Sequence, residues 1–314
     1  MNEQDRKLYN ASIKSQDTEE FLDLWFYRPL GFRCALFFRN RGIHPNAITI
    51  ASIFLGIAAG VCFGQTSLRW NILGVLLLMW ANLYDSTDGQ LARITGQKTR
   101  WGRILDGFAG DCWFFCIYFA IAARETFQPI PFAPEYEWGA IIWILCGFCG
   151  FWVHGSQCQL ADYYRNIHLY FIKEENGNEF HDSNAQRKEY AATPWRGNFF
   201  WKIFLNAYVA YVDNQERMTP CFQKFIATVR KHYGTDIPRN LREDFRKGSL
   251  PLMKYTNILT FNSRAIMLCF AMLTGELWLY LFFELVILMA LFIYMRHKHE
   301  SLCRLLTNKI EQEA

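Results

Sequence analysis

Three aspartates in the stretch 85–111, DSTDGQLARITGQKTRWGRILDGFAGD, are spaced so that they could bind one metal ion. Asp85 and Asp88 are three residues apart, which places their side chains about 60° apart on one face of a helix. Asp106 would join them if a second helix ran back after a short loop. Carboxylate oxygens suit Mg²⁺ or Mn²⁺. The stretch therefore predicts a divalent-metal site.

Small residues and a fixed cation lie between these acids. Gly89 and Ala92 would let a ligand or a second helix approach closely, and Arg93 adds a positive charge. The metal-free alternative is a set of salt bridges from the aspartates to Arg93, Arg100 and Arg103. That alternative leaves the small residues unexplained, so the metal site is the favoured interpretation.

Long apolar runs surround the charged stretch. One of them, NILGVLLLMWANLY, ends directly before Asp85. Hydrophobic residues make up 52% of the 314 residues, and they concentrate in runs that approach or reach the length needed to cross a hydrocarbon core of about 30 Å. The predicted transmembrane helices are Ala47–Phe63, Trp70–Tyr84, Ile104–Ala123, Trp138–Leu160, Ile258–Leu273 and Leu277–Met295.

The distribution of lysine and arginine predicts an orientation. These residues concentrate before the first span, between spans two and three, after span four and in the C-terminal tail, whereas the opposite connections hold only Arg69 and Arg124. By the positive-inside rule, both termini and the 85–111 stretch face the cytoplasm. The net charge of +4 is too small to indicate nucleic-acid binding. The first thirty residues lack the apolar core of a signal peptide, so we expect insertion through the chain's own helices.

The fold class predicted from these patterns is an all-α integral membrane protein with six transmembrane helices. Before them, Phe21–Phe38 predicts an interfacial amphipathic helix broken near Pro29. Between helices 4 and 5 lies a helical cytoplasmic insertion, in which Trp201–Val212 and Phe222–Tyr233 are typical of surface or interfacial helices. The predicted domains are 1–46 (N-terminal segment), 47–161 (helices 1–4 with the motif 85–111), 162–256 (insertion), 257–295 (helices 5–6) and 296–314 (tail).

The charged stretch resembles the signature of the CDP-alcohol phosphatidyltransferase family, D-x2-D-G-x2-A-R-x8-G-x3-D-x3-D. Seven of its eight positions are matched, including the long x8 gap, and Pro45-Asn46-x-x-Thr49 before the first span is similar to the same family. The likeness covers roughly residues 25–165 and the last two spans, but little of the insertion. The matching positions are Asp85, Asp88, Gly89, Ala92, Arg93, Gly102 and Asp106.

The resemblance implies transfer of a substituted phosphate from a CDP-linked donor to an alcohol, with release of CMP. It implies that Asp85, Asp88 and Asp106 bind one or two Mg²⁺ or Mn²⁺ ions, and that the fourth acid is the general base. It assigns the nucleotide and its phosphates to the neighbouring small and basic residues, and it implies a homodimer. Those nucleotide- and phosphate-binding residues are Gly89, Ala92, Arg93 and Gly102.

The chain departs from the signature at the fourth acid. The family pattern places it four residues after Asp106, where this chain has Gly110, and Asp111 follows. On an ideal helix, five residues correspond to a rotation of about 140°, so Asp111 would face away from Asp106. The favoured interpretation is a π-bulge near 107–110 that returns Asp111, as general base, to the same face. The alternatives are a structural Asp111, with another group or water as base, and a loss of activity.

Three further charged residues are candidates for binding the acceptor. Arg264 lies just inside span five, where a charge is costly without a partner, so it is either an anion site or a snorkelling or ion-paired residue. Arg165 and Asp162, just after span four, are weaker candidates. An acceptor with its own phosphate, such as inositol phosphate or glycerol phosphate, would match the basic residues.

The predicted function is transfer of a phosphatidyl group from CDP-diacylglycerol to a polar alcohol among membrane lipids. The alternative within the family is a phosphotransferase that uses CDP-choline or CDP-ethanolamine and a lipid alcohol, since both donors present the same diphosphate. A remote alternative from another class is an ion-coupled transporter, because such proteins also place acids within the membrane. The sequence shows no inverted repeat that would favour a transporter.

Overall fold

The computed structural model describes residues 3–13, 15, 17–172, 183–234 and 236–313. The helices of the first half are α1 Glu3–Ser12, α2 Arg28–Asn40, α3 Pro45–Phe63, α4 Leu68–Thr95, α5 Arg100–Glu125, α6 Gly139–Phe148 and α7 Gly155–Ile172. Those of the second half are α8 Ser183–Ala192, α9 Phe199–Met218, α10 Pro220–Tyr233, α11 Arg239–Ile258, α12 Phe261–Thr274, α13 Trp278–Phe282 and α14 Met289–Glu313. The all-α prediction is confirmed, with one small antiparallel hairpin, β1 Pro129–Ile130 and β2 Ala133–Glu137, between α5 and α6.

Within the part of the chain that the structure describes, five helical segments are long and apolar enough to cross a membrane. The second predicted span, in the first part of α4, is not among them in the described residues, so the six-span arrangement stays a prediction. In the structure, α4 carries both the apolar run and the following charged stretch in one helix of 28 residues. The five candidate spans are Pro45–Phe63, Ile104–Glu125, Gly139–Ile172, Arg239–Thr274 and Trp278–Gln312.

The chain divides into two compact units. One unit is Met1–Gly155 with Phe261–Val286, and the other is Ser156–Thr260 with Ile287–Ala314. The two units are defined by contacts between residues. The domains predicted from the sequence are defined by the predicted transmembrane helices, and their boundaries stay predictions.

The core of the first unit is formed by close packing of α3 against α4 and α5. A Cβ atom added at Gly56 would lie 1.9 Å from the Trp113 ring, and one added at Gly60 would lie 2.6 Å from Cys116 Cβ. Glycines at these crossings let the helix backbones approach closely, as is common among membrane helices. The packing fixes α5, and therefore the position of Asp106, relative to α3.

The second unit has an aromatic core of its own. The rings of Phe171 and Phe245 stack with centroids 4.1 Å apart, and Phe225 stacks on both of them. Phe222 and Phe225 of α10 are fully buried. The apolar face of the predicted helix Phe222–Tyr233 therefore packs inside this unit instead of facing a membrane interface.

The break predicted near Pro29 is wrong. A π-helical segment, Asp23–Tyr27, leads directly into α2, which begins at Arg28. Pro29 thus lies at the second residue of α2, directly after the π-helical segment, and the chain stays helical across it although proline lacks the N–H of a helical hydrogen bond. The exposed side chains of Phe21 and Trp25 lie on this continuous helical stretch, and the interfacial position predicted for it stays a prediction.

Candidate functional site

A short connection between α4 and α5 brings the two ends of the charged stretch together. Gly96 ends α4 with a φ of 71°, a left-handed conformation that favours glycine. Thr99 then caps α5, because its hydroxyl accepts a hydrogen bond of 2.9 Å from the Gly102 amide. The sequence therefore ends one helix and starts the next within a few residues, which places Asp106 beside the last turns of α4.

The three predicted metal ligands form one cluster. Each of Asp85, Asp88 and Asp106 offers a carboxylate oxygen, and these oxygens lie within 4.8 Å of one another. Burial raises the pKa of Asp85 and of Asp88 well above the usual range, and the charge of Asp106 raises both further. A divalent cation would relieve this repulsion, and the donor set is all oxygen, so the residues fit Mg²⁺ or Mn²⁺.

Thr49 of α3 orients the most buried member of the cluster. Its hydroxyl donates a short hydrogen bond to Oδ2 of Asp88, which is only 4% exposed. Groups that hold a metal ligand in this way contribute to metal affinity. The Pro45-Asn46-x-x-Thr49 pattern before the first span is the sequence signal that marks Thr49, but it does not show that the hydroxyl reaches Asp88.

The small residues of the motif have distinct surroundings. A Cβ atom added at Gly102 would lie 2.9 Å from Oδ1 of Asn46, so this glycine permits the close approach of α5 to the start of α3. Gly89 lies beneath a guanidinium, since a Cβ atom there would lie 3.4 Å from Nη2 of Arg93. Ala92 follows Asp85 by seven residues and Asp88 by four, which places it on their face of α4.

The Arg93 side chain is held by one backbone carbonyl, and one of its N–H donors is unused. Its Nε donates to the carbonyl oxygen of Ser12 in a short hydrogen bond. Its Nη2 is buried and has no hydrogen-bond partner in the part of the chain that the structure describes. Burial and the nearby guanidinium of Arg28 lower the pKa of Arg93 to about 10. A half-buried cation with a buried, unused N–H beside Gly89 fits an anionic ligand such as a phosphate.

The π-bulge predicted near 107–110 is wrong. The structure has α5 as an α-helix over its whole length, Arg100–Glu125. In a regular helix nothing compensates for the extra residue between Asp106 and Asp111, so their directions differ by about 140°. The role of Asp111 as general base stays a prediction. In the described residues π-helical segments occur elsewhere, at Asp23–Tyr27, Cys149–His154 and Phe283–Leu288.

Asp111 shares a face of α5 with Phe114 and Tyr118, at spacings of three and seven residues. The His154 ring contacts both, with centroids 4.2 Å from Phe114 and 6.1 Å from Tyr118. The Asp111 side chain is therefore on the His154 side of α5. Position 110 borders open space, because a Cβ atom at Gly110 would meet no described atom within 4 Å.

Arg264 forms a buried ion pair. Its Nη1 lies 2.6 Å from Oε1 of Glu284, and both side chains are fully buried. Tyr118 and Tyr280 donate hydrogen bonds of 2.7 Å and 2.6 Å to the same carboxylate. This geometry matches the ion-pair interpretation of Arg264, and its role in acceptor binding stays a prediction.

The two remaining acceptor candidates lie in the second unit. Arg165 donates from Nη2 to Oδ1 of Asn257 over 2.7 Å. Asp162 accepts hydrogen bonds of 3.1 Å from Asn166 and 3.3 Å from the Tyr211 hydroxyl. These contacts hold α7 to α11 and α9, and a role of either residue in binding the acceptor stays a prediction.

Comparison with known proteins identifies the region that contains this site. Residues 42–164 match the family model described as CDP-alcohol phosphatidyltransferase. The match includes all of the carboxylate cluster, Arg93 and Asp111, and it covers less than half of the chain. No curated protein matches the chain at a significant level. The family resemblance of the charged stretch is thereby confirmed for this region.

Proposed function

We propose that this chain transfers a phosphatidyl group from CDP-diacylglycerol to a polar alcohol and releases CMP. The proposal starts from the match of residues 42–164 to the family model described as CDP-alcohol phosphatidyltransferase. The observation that supports the proposal most directly is the cluster of Asp85, Asp88 and Asp106 within that region, whose oxygens lie within 4.8 Å of one another. The family implies transfer from a CDP-linked donor to an alcohol, and the choice of substrates and the metal dependence belong to the proposal.

Each side chain of the site has a separate task in this reaction. Asp85, Asp88 and Asp106 would hold one or two Mg²⁺ or Mn²⁺ ions, which would neutralise the diphosphate and make CMP a better leaving group. The unused Nη2 of Arg93, above Gly89, would donate to a phosphate oxygen of the donor. The chain thereby binds the diphosphate through positive charge and keeps its phosphorus at a fixed place.

The transfer step exchanges one phosphorus–oxygen bond for another. The acceptor hydroxyl oxygen attacks the phosphorus that carries the diacylglycerol, the bond from that phosphorus to the CMP oxygen breaks, and the hydroxyl proton passes to a base. We assign the base to Asp111, the acid nearest in sequence to the fourth position of the family signature. The open space beside Gly110 would leave room for the acceptor to reach it.

The membrane setting favours a donor with lipid tails. Candidate spans on both sides of the charged stretch, and the exposed Phe21 and Trp25 near the N-terminus, would surround acyl chains while the nucleotide stays in water. We place the site and both termini on the cytoplasmic side, in keeping with the positive-inside rule. The proposal also includes a phosphorylated acceptor and a homodimer. Both of these parts rest on the sequence.

A substrate panel tests this function. Purified protein in lipid nanodiscs is given labelled CDP-diacylglycerol or CDP-ethanolamine with Mg²⁺, Mn²⁺ or a chelator, and is offered inositol, serine, glycerol phosphate, inositol phosphate or diacylglycerol. We expect CMP release from CDP-diacylglycerol with at least one polar acceptor, and none with chelator. Product from CDP-ethanolamine and diacylglycerol alone would select the alternative donor class, and absence of CMP in every combination would refute the transferase.

A further inference from the structure

The N-terminal segment is fastened along one stripe of the charged helix α4. Ser86, Gln90 and Arg93 are spaced by four and three residues, so they share a face. Gln90 donates hydrogen bonds of 3.1 Å to the Ser12 hydroxyl and 3.2 Å to the Arg28 carbonyl oxygen. Arg93 donates to the Ser12 carbonyl oxygen. No motif in the sequence marks Ser12 or Arg28 as part of the site.

Arg28 reaches this stripe with its guanidinium. Its Nη1 lies 3.3 Å from the Ser86 hydroxyl, one residue from the metal ligand Asp85. Its Nε and Nη2 both lie 2.9 Å from Oε2 of Glu19. The Arg28 and Glu19 side chains are only 16% and 5% exposed. Gly31, one turn further along α2, permits this approach, because a Cβ atom there would lie 2.6 Å from Gln90 Oε1.

The guanidiniums of Arg28 and Arg93 lie along the same stripe of α4. That of Arg93 lies over Gly89, and that of Arg28 contacts Ser86, three residues earlier. Viewed down α4, Arg93 and Ser86 point in directions about 20° apart, and Gly89 lies between them and Asp85. Glu19 is a carboxylate that the structure shows bound to Arg28. Because Nη2 of Arg93 stays unused in the described chain, the two guanidiniums together offer more positive charge and more donors than Glu19 occupies.

We propose that Arg28 is a second guanidinium of the donor's diphosphate site, and that Glu19 is an internal anion which the diphosphate displaces from it. Resting on the proposed function, this inference adds a binding residue to the same site. A phosphate oxygen above Gly89 would accept from Arg93, and its neighbour would accept from Arg28 once Glu19 has moved away. Guanidinium groups bind phosphate through paired N–H donors, which favours such an exchange.

The competing explanation is that Arg28 and Glu19 only fasten the N-terminal segment to α4. The two explanations differ in the sign of one effect. If the ion pair is only a fastening, removing either partner loosens the segment and weakens donor binding. If Glu19 competes with the donor, removing its charge strengthens donor binding, whereas removing the charge of Arg28 weakens it.

The test compares Arg28→Gln, Arg28→Lys and Glu19→Gln in the full chain, with Arg33→Gln as a control, since Arg33 is exposed on the same helix. Two quantities are measured in nanodiscs with Mg²⁺: KM for CDP-diacylglycerol, and Kd for CDP itself. A charge-assisted hydrogen bond corresponds to roughly a tenfold change in affinity or more, so we expect Arg28→Gln to raise both by about tenfold. Arg28→Lys should recover part of the loss, and Glu19→Gln should lower both constants by about threefold to tenfold.

Each outcome decides for or against the proposal. Opposite shifts for the Arg28→Gln and Glu19→Gln variants, with Arg33→Gln and the acceptor KM unchanged, support it. Weaker binding in both variants, or no shift in Arg28→Gln, overturns it while the proposed function stands. If the unmodified chain neither binds CDP nor releases CMP from any CDP-linked donor, the proposed function fails and this inference fails with it.

Discussion

At the scale of single residues, the positions of Gly110 and Asp111 separate this chain from the family signature that residues 85–106 resemble. Three acids, Asp85, Asp88 and Asp106, converge as the spacing predicted, because both helices are regular at those positions. The same regularity turns Asp111 toward the His154 side of α5. One extra residue in a helix rotates every later side chain by about 100°. Asp111 therefore points in a different direction from a residue at position 110, whereas the first three acids are unaffected.

This displacement leads to a prediction about the base. We expect Asp111→Asn to lower kcat by about 10²–10⁴-fold, the usual contribution of a general base, while Mg²⁺ binding survives. In the double variant Gly110→Asp/Asp111→Asn, the acid returns to the family position, where a side chain meets no described atom within 4 Å. We expect this variant to regain at least part of the lost kcat. CMP release is measured at saturating substrates, and Mg²⁺ affinity by titration. Turnover near that of the unmodified chain in Asp111→Asn would exclude the assignment.

At the scale of helices, the sequence predicted much and missed what depends on partners far along the chain. Apolar runs marked α3, α5 and α12 closely, and the metal cluster followed from spacing within α4 and α5. The π-helical segment before Pro29 was missed, because such turns have no periodic signal in the sequence. The contacts of Arg28 with Ser86, 58 residues apart, were missed for a related reason: nothing local shows which helix lies beside which.

Packing at the start of α5 gives a prediction at this scale. We expect Gly102→Ala to force the side chains of Asn46 and Thr99 away from the start of α5, because the new Cβ atom would lie 2.9 Å from Asn46 Oδ1 and 3.0 Å from Thr99 Oγ1. Overpacking of this kind costs about 1–3 kcal/mol in the free energy of unfolding. It would also shift Asp106, and small misplacements of reacting groups reduce kcat by as much as about 10²-fold.

The matched control for this change is Gly107→Ala. It lies on the same helix one residue after Asp106, and a Cβ atom there meets no described atom within 4 Å. Both variants are compared by unfolding in detergent micelles and by CMP release. Equal loss of activity in the two variants would show that the close approach of α5 to Asn46 does not position the site.

At the scale of the whole molecule, the first unit contains both the proposed active site and a buried charge network. Arg264, Glu284, Tyr118 and Tyr280 join α12, α5 and the helix that begins at Trp278 through hydrogen bonds of 2.6–2.7 Å. Burying an ion pair seldom adds net stability over apolar side chains, but removing one partner leaves an uncompensated charge. We therefore expect the network to favour one arrangement of these helices, so that its loss destabilises the whole unit.

The stability of this unit supplies the last prediction. We expect Glu284→Gln to destabilise it by about 3–5 kcal/mol, because Arg264 keeps a buried charge without a counter-charge, and Arg264→Met/Glu284→Gln to recover much of that loss. The free energy of unfolding of both variants is measured in denaturing detergent. Glu276→Gln is the control, since Glu276 is an exposed acid between α12 and α13. A double variant as unstable as Glu284→Gln would contradict the ion-pair account. The folded double variant also separates the two readings of Arg264, because its acceptor KM rises only if Arg264 binds the acceptor in addition to pairing with Glu284.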